Sequence, residues 1–198
     1  MAKKPAEMTT GNDNDDVTPQ MDQHAPVTQE FGDIVKLPNG LAESICKTSV
    51  GILNQTLADT MTLRDMYKKH HWQVVGPTFN QLHLMYDQHF EAQSELVDTL
   101  AERIQVLGGI SVAMAADVAE ATKIPRPPIG RESAVVQIAR LAQAHEMIIV
   151  DARKNAEKVS EAGDAGSEDV LVSNVLRLNE LQAWFLSEHL VSVSPVAA

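Results

Sequence analysis

The chain is predicted to be all-α, a four-helix bundle with a short extra helix between its second and third long helices and a long flexible tail at its N-terminus. Three observations carry this. Apolar residues recur at helical spacing through four long segments, glycine and proline fall between those segments, and no stretch alternates apolar and polar residues as a strand would. There is also no internal repeat and no glycine loop suited to cradling phosphate.

The elements follow in order. From Leu41 to about His71, apolar residues fall at Leu41, Ile45, Ile52, Leu53, Leu57, Met61 and Met66, a helical period that Gly76-Pro77 ends. A second helix is expected from about Phe79 to Leu107, with its stripe at Leu82, Tyr86, Phe90, Val97, Leu100, Ile104 and Leu107. Gly108-Gly109 supply its C-terminal stop. Residues 111–122 suit a short helix, and Pro125-Arg126-Pro127-Pro128 forces an extended turn after it. Long helices over 131–161 and 167–191 complete the bundle, with Gly163 and Gly166 at the corner between them.

The predicted organisation is a flexible acidic tail over residues 1–36, a bundle over 37–191 that opens on the turn Leu37-Pro38-Asn39-Gly40, and a short tail over 192–198. Residues 1–33 carry Lys3 and Lys4 against seven carboxylates, a net charge of −5, and too little apolar surface to offset the entropy of ordering.

The chain of 198 residues is 44% apolar, enough for one core, and its formal net charge is −11, a field that attracts cations and repels polyphosphate. The single cysteine, Cys46, excludes a disulfide framework within the chain and a cysteine-based zinc site, and reads as a small buried hydrophobe. No apolar run reaches the ~18 residues of a membrane span and no hydrophobic region follows Lys3-Lys4, so the expected location is the cytoplasm.

The chemistry concentrates in His71, His83, Asp87, Asp98 and Glu102. His83/Asp87 and Asp98/Glu102 are each spaced i,i+4, which stacks two side chains on one helix face. Nitrogen and oxygen donors together suit Fe, Mn or Zn rather than thiolate-bound copper or an iron–sulfur cluster. On one helix, however, Asp87 and Asp98 differ by only about 20° in azimuth while lying roughly 16 Å apart along the axis. One chain therefore cannot close both pairs on one ion. A two-fold axis crossing the helix near Ala92 and Gln93 resolves this by setting His83/Asp87 of one subunit against Asp98/Glu102 of its mate, giving two identical sites.

His71-Trp72, Gly76, Phe79, Leu82-His83, Asp87, Asp98, Ala101-Glu102-Arg103-Ile104 and Leu107-Gly108-Gly109, continued by Gly163-Asp164, Glu168-Asp169 and Trp184, resemble the Dps mini-ferritins, the DNA-binding proteins from starved cells. The resemblance spans roughly residues 41–191. It implies a ferritin-like bundle assembled as a hollow homo-dodecamer that oxidises Fe(II), usually with hydrogen peroxide and otherwise with oxygen, at two-fold interfaces, storing ferric mineral inside and protecting against oxidative stress. Carried over by position, His71 and His83 become iron ligands of one subunit and Asp98 and Glu102 ligands of the other, with Glu102 as the bridge or strongest anchor. Zn or Mn can substitute for iron there. Asp87 matches a position that either ligates a second iron or hydrogen-bonds through water. Trp72 matches an aromatic beside the site that can donate an electron, the alternative being a core aromatic at a helix end.

Asp164, Glu168 and Asp169 resemble the acidic corner that borders a three-fold pore in Dps proteins, where three copies would form a negative funnel for Fe(II); the alternative is helix-start chemistry. A ferritin-type site inside one bundle is set aside, because no glutamate here is followed three residues later by histidine. Among the remaining histidines, His70 and His89 are expected to be exposed, His145 and His189 to be satisfied among apolar helix residues, and His24 beside Asp22 to bind metal weakly at most. Tyr86 reads as packing. The family name invites DNA binding, but only Lys3 and Lys4 among residues 1–33 could neutralise phosphate and residues 192–198 carry no cation, so weak or absent binding is expected, with nucleoid association only to that extent.

Overall fold

The computed structural model describes residues 26–191. Its elements are α1 (Glu43–Gln73), α2 (Phe79–Val106), α3 (Ala115–Ala121), α4 (Ala134–Glu161), α5 (Ala165–Asp169), a π-helical stretch Val170–Leu176, and α6 (Arg177–Glu188). Backbone dihedrals stay right-handed helical through both junctions of the last three elements, so they form one rod with a widened turn inside it. The architecture is the expected all-α bundle: α1, α2, α4 and that rod, with α3 lying in the long connection between α2 and α4. Among the described residues there is no strand.

Local chemistry explains the stops. Gly108 takes φ 82°, and the α2 end closes with Gly108 N–H to the Gln105 carbonyl and Gly109 N–H to the Ile104 carbonyl, the paired bonds of a Schellman cap. The same pairing ends α4, where Gly163 at φ 88° donates to Ser160 and Asp164 N–H to Val159. A Cβ at Gly109 would overlap the Val50 side chain, so this cap also sets how closely α1 and α2 approach. The long connection is tied to α1 by two buried or half-buried polar side chains. Asp59 accepts from Lys123 N–H at 2.7 Å and the Thr122 hydroxyl at 2.8 Å, while Asn54 bonds the Ile110 carbonyl and Val112 N–H.

Tyr67, Tyr86, Leu53, Leu57, Leu63, Leu100, Ile104, Leu141, Leu171 and Leu186 have no exposed surface and fill the space between the helices. Cys46 is buried and free, as expected. Two findings depart from the reading of the sequence. Gln29 and Val35, within the segment read as tail, both donate to the Gly108 carbonyl at 2.9 Å, and Ile34 packs on the core, so these residues lie across the end of α2. His70 and His89, expected to be exposed, are buried at 0% and 8% exposure because their positions on α1 and α2 face the bundle axis. Gln93, near the expected two-fold axis, points inward and bonds Gln182, while its neighbour Ala92 is half-buried. The expectations for residues 1–25, including Lys3, Lys4 and His24, and for 192–198 lie outside the described residues.

Candidate metal centre

His71 ends α1 and His83 begins α2, so the Gly76 turn folds the two imidazoles onto each other. Their rings stack with centroids 3.7 Å apart, and Phe79 stacks on the outer side of His83 at 5.1 Å. The hydrogen bonds are reciprocal: His71 Nδ1 lies 2.8 Å from the His83 carbonyl oxygen, and His83 Nδ1 lies 2.9 Å from the His71 carbonyl oxygen. A carbonyl only accepts, so both Nδ1 atoms carry the proton and both Nε2 atoms keep a lone pair. Backbone bonds that fix the tautomer and ring orientation in this way are what a ligating histidine requires.

Asp87 joins the pair from one turn further along α2, its Oδ1 3.8 Å from His71 Nδ1. The same oxygen accepts from Lys68 Nζ at 2.6 Å, and Lys68 also lies 4.4 Å from the centre of the Phe90 ring. The Lys68 hydrogen bond, with the Lys68 charge, holds the Asp87 carboxyl below its usual pKa against some desolvation. Lys68 escaped the sequence reading, although its i,i+3 spacing to His71 puts it on the same face of α1. Trp72 is 70% exposed in the chain, which removes the core-aromatic alternative, and it borders an open groove with Met61, Arg126 and Ile129.

Asp98 and Glu102 are exposed on the far half of α2, on the stripe that also carries Glu91 and Glu95. Since α2 is one unbroken helix from Phe79 to Val106, the roughly 16 Å between Asp87 and Asp98 stands. Among the described residues no group of three or more His, Cys, Asp or Glu side chains is placed to hold a metal ion within the chain. The chain thus presents a histidine half, with Asp87 beside it, and a carboxylate half, and does not bring the two together.

The acidic corner separates into two kinds of residue. Asp164 is 1% exposed; it accepts from Ser167 N–H at 3.0 Å and the Ser167 hydroxyl at 2.6 Å, and pairs with Arg103 at 2.5 Å. Burial would raise its pKa, but the bonds from Ser167 and the Arg103 charge outweigh that and lower it. These contacts are a helix cap and an ion pair, so Asp164 is withdrawn from the funnel reading. Gly166 leaves room for the guanidinium, which a Cβ there would overlap. Glu168 is half-buried and Asp169, whose carboxylate accepts from Ser173, is exposed. Arg103, read only as part of a motif, is therefore the staple that docks the α4–α5 corner beside Glu102. His145 is satisfied in the core, as expected, whereas His189 is exposed at the end of α6. Tyr86 is packed, as expected.

A ferritin-like domain family matches residues 50–194. DpsC from Streptomyces coelicolor superposes with a TM-score of 0.84 at 48% identity, covering 87% of this chain and all of that one. Dps from Thermosynechococcus elongatus gives a TM-score of 0.73 at 28% identity over 78% of this chain and 98% of its own. A DNA protection during starvation protein of Agrobacterium fabrum is 29% identical over 154 residues, 78% of this chain and 94% of the relative. No helix among the described residues is long and apolar enough to cross a membrane. The chain belongs to the ferritin-like family, as a member of its Dps branch.

Proposed function

We propose that the chain is a ferroxidase of the Dps type, oxidising Fe(II) with hydrogen peroxide at sites shared between two-fold-related subunits of a hollow homo-dodecamer and keeping the ferric product inside as mineral. The observation that carries this is the reciprocal bonding of His71 and His83, which leaves two oriented Nε2 lone pairs at the chain surface. In this reading those two nitrogens hold Fe(II) from one subunit, while Asp98 and Glu102 of the mate complete the set and Glu102 anchors or bridges. Asp87, already held by Lys68, positions His71 or accepts a second iron. Zn or Mn with the same donors would compete. Exposed Trp72 stands beside the site, where an indole can surrender an electron to a stray oxidant.

The acidic stripe of α2 and the net charge of −11 favour accumulation of cations. Glu168 and Asp169 are retained as the proposed three-fold funnel, without Asp164. The cytoplasm is the proposed location. The similarity to DNA protection during starvation proteins raises DNA protection as a second function, but the sign of the charge argues that any DNA contact is weak and salt-sensitive. Anaerobic addition of peroxide to protein loaded with Fe(II) tests the main reading, with oxidation expected at about two Fe(II) per peroxide and little hydroxyl radical released. Oxidation no faster than in protein-free buffer would overturn it, and a gel shift at moderate salt decides the DNA question.

A further inference from the structure

Inside the bundle, one turn below His71, each of the four long helices contributes to a buried polar network that iron binding does not use. Tyr67 Oη on α1 lies 2.5 Å from His145 Nε2 on α4 and 3.0 Å from His89 Nδ1 on α2. His145 Nδ1 lies 2.8 Å from Asn179 Oδ1 on α6. The proton positions follow from the outer partners. Asn179 Nδ2 donates to the Val175 carbonyl at 2.7 Å, and Gln93 Nε2 donates to Asn179 Oδ1 at 3.3 Å, so Oδ1 is the acceptor facing His145. His145 Nδ1 then carries its proton, Nε2 holds the lone pair, and Tyr67 O–H donates to it while accepting from His89. Among the described residues no carboxylate belongs to the network. The second tyrosine, Tyr86, has its ring 6.0 Å from Tyr67, yet its buried hydroxyl has no hydrogen-bond partner among the described residues.

We propose that Tyr67 is a redox-active tyrosine, with His145 as the base that takes its proton when an electron leaves. The phenol gives one electron to the oxidant, its O–H bond breaks, and the proton crosses to form an N–H bond at His145 Nε2. A neutral tyrosyl radical is left beside an imidazolium whose Nδ1–H stays on Asn179. A phenol radical cation is a far stronger acid than imidazolium, so this transfer runs downhill, and burial keeps Tyr67 protonated and His145 neutral beforehand. Tyr86, with no base, lacks this route.

The physiological step rests on the iron reading above. One Fe(II) reduces peroxide to hydroxide and a hydroxyl radical, and the radical takes the electron from Tyr67 and becomes hydroxide. A second Fe(II) then returns an electron while the proton goes back from His145 to the phenolate oxygen. The sum is two Fe(II) oxidised and one peroxide reduced to two hydroxides, with the tyrosine restored.

The test is flash photo-oxidation of the assembled, iron-free protein with tris(bipyridine)ruthenium(III), read by electron paramagnetic resonance. Because no iron is present, its outcome is independent of the ferroxidase reading, which the peroxide titration decides separately. Wild type is expected to give a neutral tyrosyl radical coupled to one solvent-exchangeable hydrogen. Tyr86→Phe should retain the signal, Tyr67→Phe should lose it, and His145→Gln should slow its formation by about a hundredfold. Only two tyrosines exist, so Tyr86→Phe alone assigns any tyrosyl signal to Tyr67 even if Tyr67→Phe fails to assemble. An indole radical alone in wild type, a tyrosyl signal absent from Tyr86→Phe, or one surviving in Tyr67→Phe would overturn the proposal.

Discussion

The edge of the α1–α2 pair and the centre of the bundle hold the same residue types in opposite conditions, only one helical turn apart. At the edge, His71 and His83 each use Nδ1 on a backbone carbonyl and leave Nε2 without a hydrogen-bond partner among the described residues. At the centre, His145 spends both nitrogens, one on Tyr67 and one on Asn179, with no exposed surface. The His71–His83 pair and His145 thus differ in the fate of the second nitrogen. Carboxylates divide the same way: Asp164 is buried with its oxygens used, while Asp98 and Glu102 face outward with no ion pair among the described residues.

The largest expected effect breaks the edge. His71→Ala with His83→Ala should reduce peroxide-dependent Fe(II) oxidation by at least about a hundredfold, since it removes both proposed nitrogen ligands and not merely their supports. Helicity and assembly should persist, because both rings sit at the periphery of the α1–α2 pair. Stopped-flow absorbance of ferric product and far-ultraviolet circular dichroism together check this, and a collapse of helicity would make these histidines structural.

A next, smaller effect sets buried against exposed carboxylate. Asp164→Asn should destabilise by about 3 kcal/mol, because it leaves Arg103 half-buried without its partner and weakens the cap of α5. Asp98→Asn should stay within about 0.5 kcal/mol of wild type yet impair iron oxidation. Urea unfolding measured alongside oxidation rates would reveal any reversal of that order.

The smallest effect is a slope. Burial lowers the pKa of His145 to about 3, so between that value and the ordinary ~6.5 the unfolded chain binds a proton that the folded chain refuses. Stability should therefore be full above about pH 6.5 and fall with pH by up to about 1.4 kcal/mol per unit from this residue. His145→Gln keeps a donor and an acceptor there but cannot titrate, so its stability should fall less steeply between pH 6.5 and 4. Equal slopes in urea titrations of the two proteins would contradict the burial argument.

Much of this was legible in the residues because it depends on local spacing. The i,i+4 pairs, the Gly108-Gly109 stop and the Gly163 corner are short-range signals, and each marks an element boundary or a helix face to within a few residues. The separation of Asp87 from Asp98 needed only helix geometry. The inward rotation of His70, His89 and Gln93 was not legible. These positions lie on the margin of the apolar stripe, and their inward partners come from other helices: Gln93 bonds Asn179 and Gln182 and His89 bonds Tyr67, while neither nitrogen of buried His70 has a partner among the described residues. The widened π turn before Asn179 compounds this, since it shifts the phase of the last helix and breaks the simple period. Arg103 and Asp164 failed to announce themselves as a pair for the same reason, being brought together only by the corner between α4 and α5. Residues 29–35 were read as tail from composition, yet one carbonyl at Gly108 is enough to hold Gln29 and Val35.

The central claim, that each site takes histidines from one subunit and carboxylates from its mate, is tested most directly by complementation. Two inactive variants, His71→Ala/His83→Ala and Asp98→Ala/Glu102→Ala, would be unfolded, mixed in equal amounts and reassembled. Random two-fold pairing puts intact histidines opposite intact carboxylates in about a quarter of the sites, so about a quarter of the wild-type rate of Fe(II) oxidation should return. A mixture as inactive as either variant alone, with reassembly verified by mass, would contradict the shared site.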